Sequence, residues 1–345
     1  MDLSIAYKEL KQRIDQVDFS QLWRGFQKTK FAVYNDTACF FDGAYIEKTE
    51  AFLANTSIQY NGEHIAIWYL PEAPSDWDHL SASIIHEMFH AFQNASGESR
   101  WPDEKAALLH YQYTSENLSA KLQEAELISA LLNHNPAADF EALLRARKSR
   151  AQKHSYEYDY EARIEQIEGA ANYVELRALE QLDPAKAQAK WDTVLKSILD
   201  PANYLPIRIV SYAIGALFLA CIKKQSDFDF ESFADEPFSI MILEDILPDT
   251  GTAQTSPIID TILKEYQAET NAIIESALAK DERVLEGRYP LIGLNVYNAR
   301  WNGRYATSTY FIAYQDGAEM KTLYGDFIVE IDEDYNILTA YRQQR

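Results

Sequence analysis

The chain has 345 residues, 47% apolar and 25% charged, the balance of a globular protein long enough for two or three subdomains. With 53 acidic against 32 basic residues its formal charge is −21, which argues against nucleic acid and anionic membrane surfaces as partners. Two cysteines, Cys39 and Cys221, make no disulfide framework. No basic segment followed by an apolar run opens the chain, and the longest apolar run, 209–222, is too short to span a bilayer. A cytoplasmic, non-membrane protein is expected; the oligomeric state is left open.

In chain order, residues 3–27 read as an amphipathic helix through Leu3, Ile5, Leu10, Ile14 and Val17, with Leu22, Trp23 and Phe26 beyond. The aromatic and apolar stretch 31–41 suggests a strand. A hairpin follows, with strands 57–60 and 64–70 flanking Asn61-Gly62, the dipeptide best suited to a tight primed turn. Its second strand is either an ordinary sheet strand or an edge able to pair with an extended peptide.

Residues 80–93 contain no Gly or Pro. Ile84, Ile85, Met88 and Phe92 form one helical stripe, and Ser75-Asp76 offers a cap. Opposite that stripe lies His-Glu-x-x-His: His86 and His90, one turn apart, project from the same side of the helix. Two imidazoles at that separation close on one small divalent cation, and zinc accepts them readily. Glu87, beside the first, can take a proton from a water that the metal has acidified.

From 101 to 182 the pattern is almost wholly helical, broken near Asn133-His134-Asn135-Pro136, with a strongly basic helix over 141–153. His110, His134 and His154 read as surface histidines rather than ligands. The stretch 163–175 carries an apolar stripe, Ile164, Ile167, Ala171, Val174 and Ala178. Glu161, Glu165, Glu168, Asn172 and Glu175 line the adjoining side, and small residues at 169–171 would let it pack closely on the metal helix. The third ligand that a catalytic zinc needs is sought on this stretch. Asp183-Pro184 and Asp200-Pro201 mark breaks, 208–224 is a buried helix, and 257–280 is a helix with Ser256 placed to cap it and Pro257 at its first position. Three strands, 305–314, 326–331 and 337–341, end the chain as a β-meander with no catalytic motif, read as a structural appendage. The expected fold is α+β in three parts: a helix and small mixed sheet (1–80), a helical zinc-binding catalytic region (81–280) and the meander (281–345).

His-Glu-x-x-His followed by a helical Glu-Gly-x-Ala-x-Tyr-x-Glu (Glu168 to Glu175) resembles the gluzincin metallopeptidases, the group of thermolysin and the zinc aminopeptidases. The resemblance covers about 55–225 and implies a zincin-like fold with His86, His90 and Glu168 on the metal, with Glu165 the rival for the third place. Asn172 and Glu175 then fall where a partner could hold a ligand histidine's other nitrogen. Tyr212-Ala-Ile-Gly215 is similar to the Tyr-x-x-Gly of the aminopeptidases, whose tyrosine stabilises the oxyanion. Arg208, one turn earlier, is a candidate for gripping a substrate carboxylate or carbonyl. The gap from His90 to Glu168 is far longer than in that group, and the Gly-x-Met-Glu-Asn strand that grips a substrate amine is absent, so exopeptidase activity is not supported. The expected function is zinc-dependent hydrolysis of a peptide or protein substrate with Glu87 as general base. The alternative is a non-catalytic zinc-binding interaction protein.

Overall fold

The computed structural model describes residues 1–133, 139–232, 234–249 and 255–343. The break read at Asn133-His134-Asn135-Pro136 runs into undescribed residues, and His134 lies among them. The class is α+β. Helix α1 (Leu3–Ile14) is capped by Asp2, whose carboxylate accepts from the amides of Ser4 and Ile5. It stops well short of residue 27, because Asp18 starts a fresh 3₁₀ turn (Phe19–Gln21) by accepting from Ser20.

The expected strand 31–41 is two antiparallel strands, β1 (Phe31–Tyr34) and β2 (Cys39–Phe41). The Asn35 side chain accepts from Thr37 and Ala38 and turns the chain between them. After the short β3 (Ala44–Ile46), strands β4 (Thr56–Tyr60) and β5 (Glu63–Tyr69) form the hairpin, with Asn61 and Gly62 at φ of 51° and 82° as a primed turn requires. The sheet order is β3-β2-β1-β5-β4, with β1 and β5 parallel. The hairpin's second strand is thus interior, and its first strand, β4, is the free edge.

Helix α2 (Trp77–Ala95) starts where Asp76 accepts from the amides of Asp78 and His79. It buries Ile84, Ile85 and Met88 and packs on β5, on α1 and on the later helix over 170–182. The helical middle continues as α3 (Glu104–His110), α4 (Ser115–Leu132), α5 (Phe140–Lys153) and α6 (Ser155–Ile164). A π turn (Glu165–Gly169) leads into α7 (Ala170–Leu182), followed by α8 (Pro184–Ile198), α9 (Ile207–Gln225), the short α10 (Phe238–Met241) and α11 (Pro257–Lys280). Ser256 stands at the N-cap of α11, but its side chain accepts no hydrogen bond there. The long segment between α2 and α7 wraps onto α9, which is buried along most of its length. The basic face of α5 is not a solvated surface: Arg147 and Arg150 are fully buried, paired with Glu124, Glu161 and Glu165.

Helix α7, with Ala170 and Ala171 buried, packs on α2 as the small residues allow, but Gly169 itself faces α9. A Cβ there would sit 2.8 Å from Gly215 Cα, and one on Gly215 would sit 2.9 Å from Glu165 Cα. The two glycines are the contact at which the π turn crosses α9, and nothing larger fits.

The C-terminal part is a six-stranded antiparallel sheet rather than a three-stranded meander. Its strands are β6 (Arg283–Leu294), β7 (Tyr305–Ser308), β8 (Phe311–Asp316), β9 (Glu319–Tyr324), β10 (Phe327–Ile331) and β11 (Asn336–Arg342), in the order β7-β10-β11-β6-β8-β9. The long β6 escapes a pattern reading because charged residues and Pro290 interrupt it, and its partners come later in the chain. The run 305–314 splits at Tyr310, which has φ of 70°. The sheet has its own core, including Leu291, Ile312, Phe327 and Ile337. Among the described residues no helix is long and apolar enough to cross a membrane.

Candidate metal centre

His86 and His90 project from α2 with their Nε2 atoms 3.1 Å apart. Glu168 Oε2 comes within 3.3 Å of His90 Nε2 and 3.7 Å of His86 Nε2. Glu168 is carried inside the π turn, where each backbone hydrogen bond spans one residue more than in an α-helix, so this turn and the Gly169–Gly215 crossing set its reach toward α2.

The histidines are oriented from behind. Gln93, one turn after His90, donates through Nε2 to Ile167 O at 3.1 Å, which turns its Oε1 to His90 Nδ1 at 2.7 Å. The proton of a neutral His90 therefore sits on Nδ1 and leaves a lone pair on Nε2. Glu175 does the corresponding work for His86: its Oε2 lies 3.4 Å from Nδ1, a long contact, and its other oxygen is held by Ser83 at 2.8 Å and by Lys190. Two lone pairs and a carboxylate oxygen then face one point, the donor set a small divalent cation takes.

Without a cation, such a cluster draws in a proton. Burial opposes charge on His86, but Glu168 and Glu175 outweigh it and raise the imidazole to about 10. Burial would also raise Glu168 and Glu175; contact with the histidines holds Glu168 well below the usual carboxylate range, and His86 with Lys190 holds Glu175 at about 2. Glu87 is different: burial pushes its carboxyl up, against the pull of both histidines. Among the described residues it makes no hydrogen bond, and it faces the cleft.

That cleft has a volume of about 470 Å³ and is walled by the cluster, by Thr56 and Ser57 of β4, and by Trp101, Tyr212 and Tyr297. A larger cavity, about 740 Å³ beside Tyr173, Trp191 and Phe230, lies away from the histidines. Among the described residues the buried Tyr212 hydroxyl makes no hydrogen bond of normal geometry, although it lies toward Glu168; burial followed by the charge of Glu168 pushes its pKa far up, so it stays a donor.

Arg208 is not free for substrate. Its Nη2 lies 3.2 Å from Glu168 Oε1, its Nη1 is paired with Glu104, and its guanidinium lies over the rings of Tyr212 and Tyr297. Glu165 faces away, bound to Arg147 at 2.6 Å and to Ser239, so it does not enter the cluster. Asn172, half-buried, holds neither histidine; Glu175 and Gln93 occupy those places. His110 and His154 also lie outside the cluster.

Gln93, Ser83, Lys190, Glu104 and Tyr297 were not singled out in the sequence. Gln93 had a local signal, a polar residue three after His90 on the same helix face. The others meet the site only through tertiary packing. Comparison with family models, with curated proteins and with solved structures returned no match for this chain.

Proposed function

We propose that this chain is a zinc-dependent peptidase of gluzincin type, with a zincin-like catalytic region and His86, His90 and Glu168 as the metal ligands. One observation carries the reading: three donors from two helices converge at a cleft wall, next to an uncommitted carboxylate. When bound, zinc would acidify water and polarise a carbonyl. Glu87, its pKa raised by burial, takes the proton of the attacking water and passes it to the leaving amine. The Tyr212 hydroxyl, which makes no hydrogen bond of normal geometry among the described residues, donates to the oxyanion as it develops. Arg208 keeps Glu168 aimed. The free edge of β4 beside the cleft suits an extended peptide, whose backbone would complete the unpaired ladder.

A closed, non-catalytic zinc site would leave no room at the metal, and the cleft favours the peptidase over that alternative. Two free, buried cysteines fit a reducing compartment, so we place the protein in the cytoplasm. The test is elemental analysis of protein purified without chelator, followed by peptide hydrolysis. About one zinc per chain is expected, with Glu87→Gln keeping the metal and losing about 10²–10⁴-fold in kcat. Zinc-free protein after reconstitution, or full activity in Glu87→Gln, would overturn the proposal.

A further inference from the structure

Two exposed large apolar side chains, Trp101 at 39% and Tyr297 at 53%, line the cleft of His86, His90 and Glu168. Both are anchored. The Trp101 indole N–H donates to Glu98 O at 2.8 Å, and the almost wholly buried Glu98 carboxylate is gripped by Arg100 at 2.7 and 2.8 Å. Tyr297 follows Asn295, whose backbone N–H donates to Ser308 at 3.1 Å and whose side chain donates to Thr309 at 2.8 Å. Its ring lies 5.5 Å from the Arg208 guanidinium. Rings fixed by polar anchors while their faces stay wet are poised to recover that solvation cost from an apolar ligand.

Tyr297 belongs to the loop between β6 and β7. Val296, Ala299 and Trp301 of that loop line a narrow crevice together with Ala107, Tyr160 and Ile207, which places the C-terminal sheet beside the site. Among the described residues no Lys or Arg lines the cleft, and the neighbouring Arg208 is already committed to Glu104 and Glu168, so a substrate carboxylate held away from the metal would find no side-chain counter-charge.

We infer that Trp101 and Tyr297 are specificity-determining residues that seat a large apolar side chain of an internal peptide segment, and that the C-terminal sheet supplies a working wall of the site. The inference rests on the peptidase reading for the reaction that follows, while binding can be read without it.

The test uses the full chain carrying Glu87→Gln, loaded with zinc, titrated calorimetrically with blocked peptides of one sequence that differ at a single position. Phe at that position is expected to bind about tenfold tighter than Ala, the low end of what burying one large apolar side chain gives. Adding Tyr297→Ala or Trp101→Ala should bring that ratio to within about twofold, with zinc content unchanged, whereas Tyr297→Phe should keep it. Unmasking a carboxylate on the Phe residue should weaken binding. Equal affinity for the Phe and Ala peptides, an unaltered ratio in Tyr297→Ala, or tighter binding of the free acid overturns the inference. Wild-type hydrolysis run in parallel separates the two readings. Cleavage without apolar preference removes the clamp and leaves the peptidase. Selective binding with no cleavage removes the peptidase and leaves the clamp.

Discussion

Two ionic clusters lie on either side of the π turn, and they are balanced differently. On the side of α4, α5 and α6, Lys121, Arg147 and Arg150 meet Glu124, Glu161 and Glu165, all with side chains at most 1% exposed. Three cations face three carboxylates, and the chain neutralises itself. On the cleft side, Glu87, Glu104, Glu168 and Glu175 face only Arg208 and Lys190, with two imidazole lone pairs directed at the same point. With both imidazoles neutral, as ligation of a metal requires, two negative charges are left over; without a cation, a proton on His86 offsets one of them. A buried cluster that supplies its own counter-ions has a structural role; one that withholds them is suited to an external divalent cation. Adjacent glutamates on one stretch, Glu165 and Glu168, fall on opposite sides of that division.

Exchanging those two glutamates is the sharpest way to break the comparison. Glu168→Ala should cut zinc to well below one per chain. Glu165→Ala should keep the zinc and cost about 3–5 kcal/mol, the usual penalty for stranding a buried charge, here that of Arg147. Metal analysis and denaturant unfolding read the two effects, and the reverse pattern would move the ligand to Glu165.

The tyrosines offer a matched pair. Tyr212→Phe removes a hydroxyl that makes no hydrogen bond of normal geometry among the described residues, so stability should hold while kcat falls by about 10²-fold, the effect of losing an oxyanion donor. Tyr111→Phe removes a hydroxyl that donates to Glu161 at 2.6 Å and accepts from Asn117. It should cost about 1–3 kcal/mol and leave kcat in place. Equal effects of the two changes on kcat would remove Tyr212 from the reaction.

A smaller effect is expected one layer out. Gln93→Ala frees the His90 ring and should weaken zinc by about 10–100-fold; a competition titration with a chelator reads this directly.

The mildest test is pH. Burial alone would raise Glu161, but Arg150 and Lys121 hold its carboxyl down to about 2. A depressed folded pKa gives stability that is complete above the unfolded value, about 4.5, and lost as pH falls toward 2. Zinc-free protein should lose unfolding midpoint across that window, and Glu161→Gln, less stable at neutral pH, should show a flatter profile.

Much of this was local and hence legible. The α2 helix follows from its apolar stripe and Asp76 cap, and the pairing of His86 with His90 follows from helical spacing alone. The hairpin follows from Asn61-Gly62, whose positive φ values few other pairs accept. Glu168 was reachable through its motif, although on a regular helix nothing in spacing separates it from Glu165. Long-range packing was the illegible part. The commitment of Arg208 depends on Glu104, the support of Glu175 depends on Lys190, and Tyr297 comes from a sheet first read as an appendage.

The sequence by itself determined which helix carries the donors, that two imidazoles and a carboxylate were on offer, and where the chain turns, because these depend on neighbours within about one or two helical turns. Tertiary structure decided which glutamate faces the histidines, which residues orient them, and what walls the cleft. Those outcomes hang on the π turn at 165–169 and on Gly169 meeting Gly215 across 46 positions of chain, a contact that no local pattern encodes.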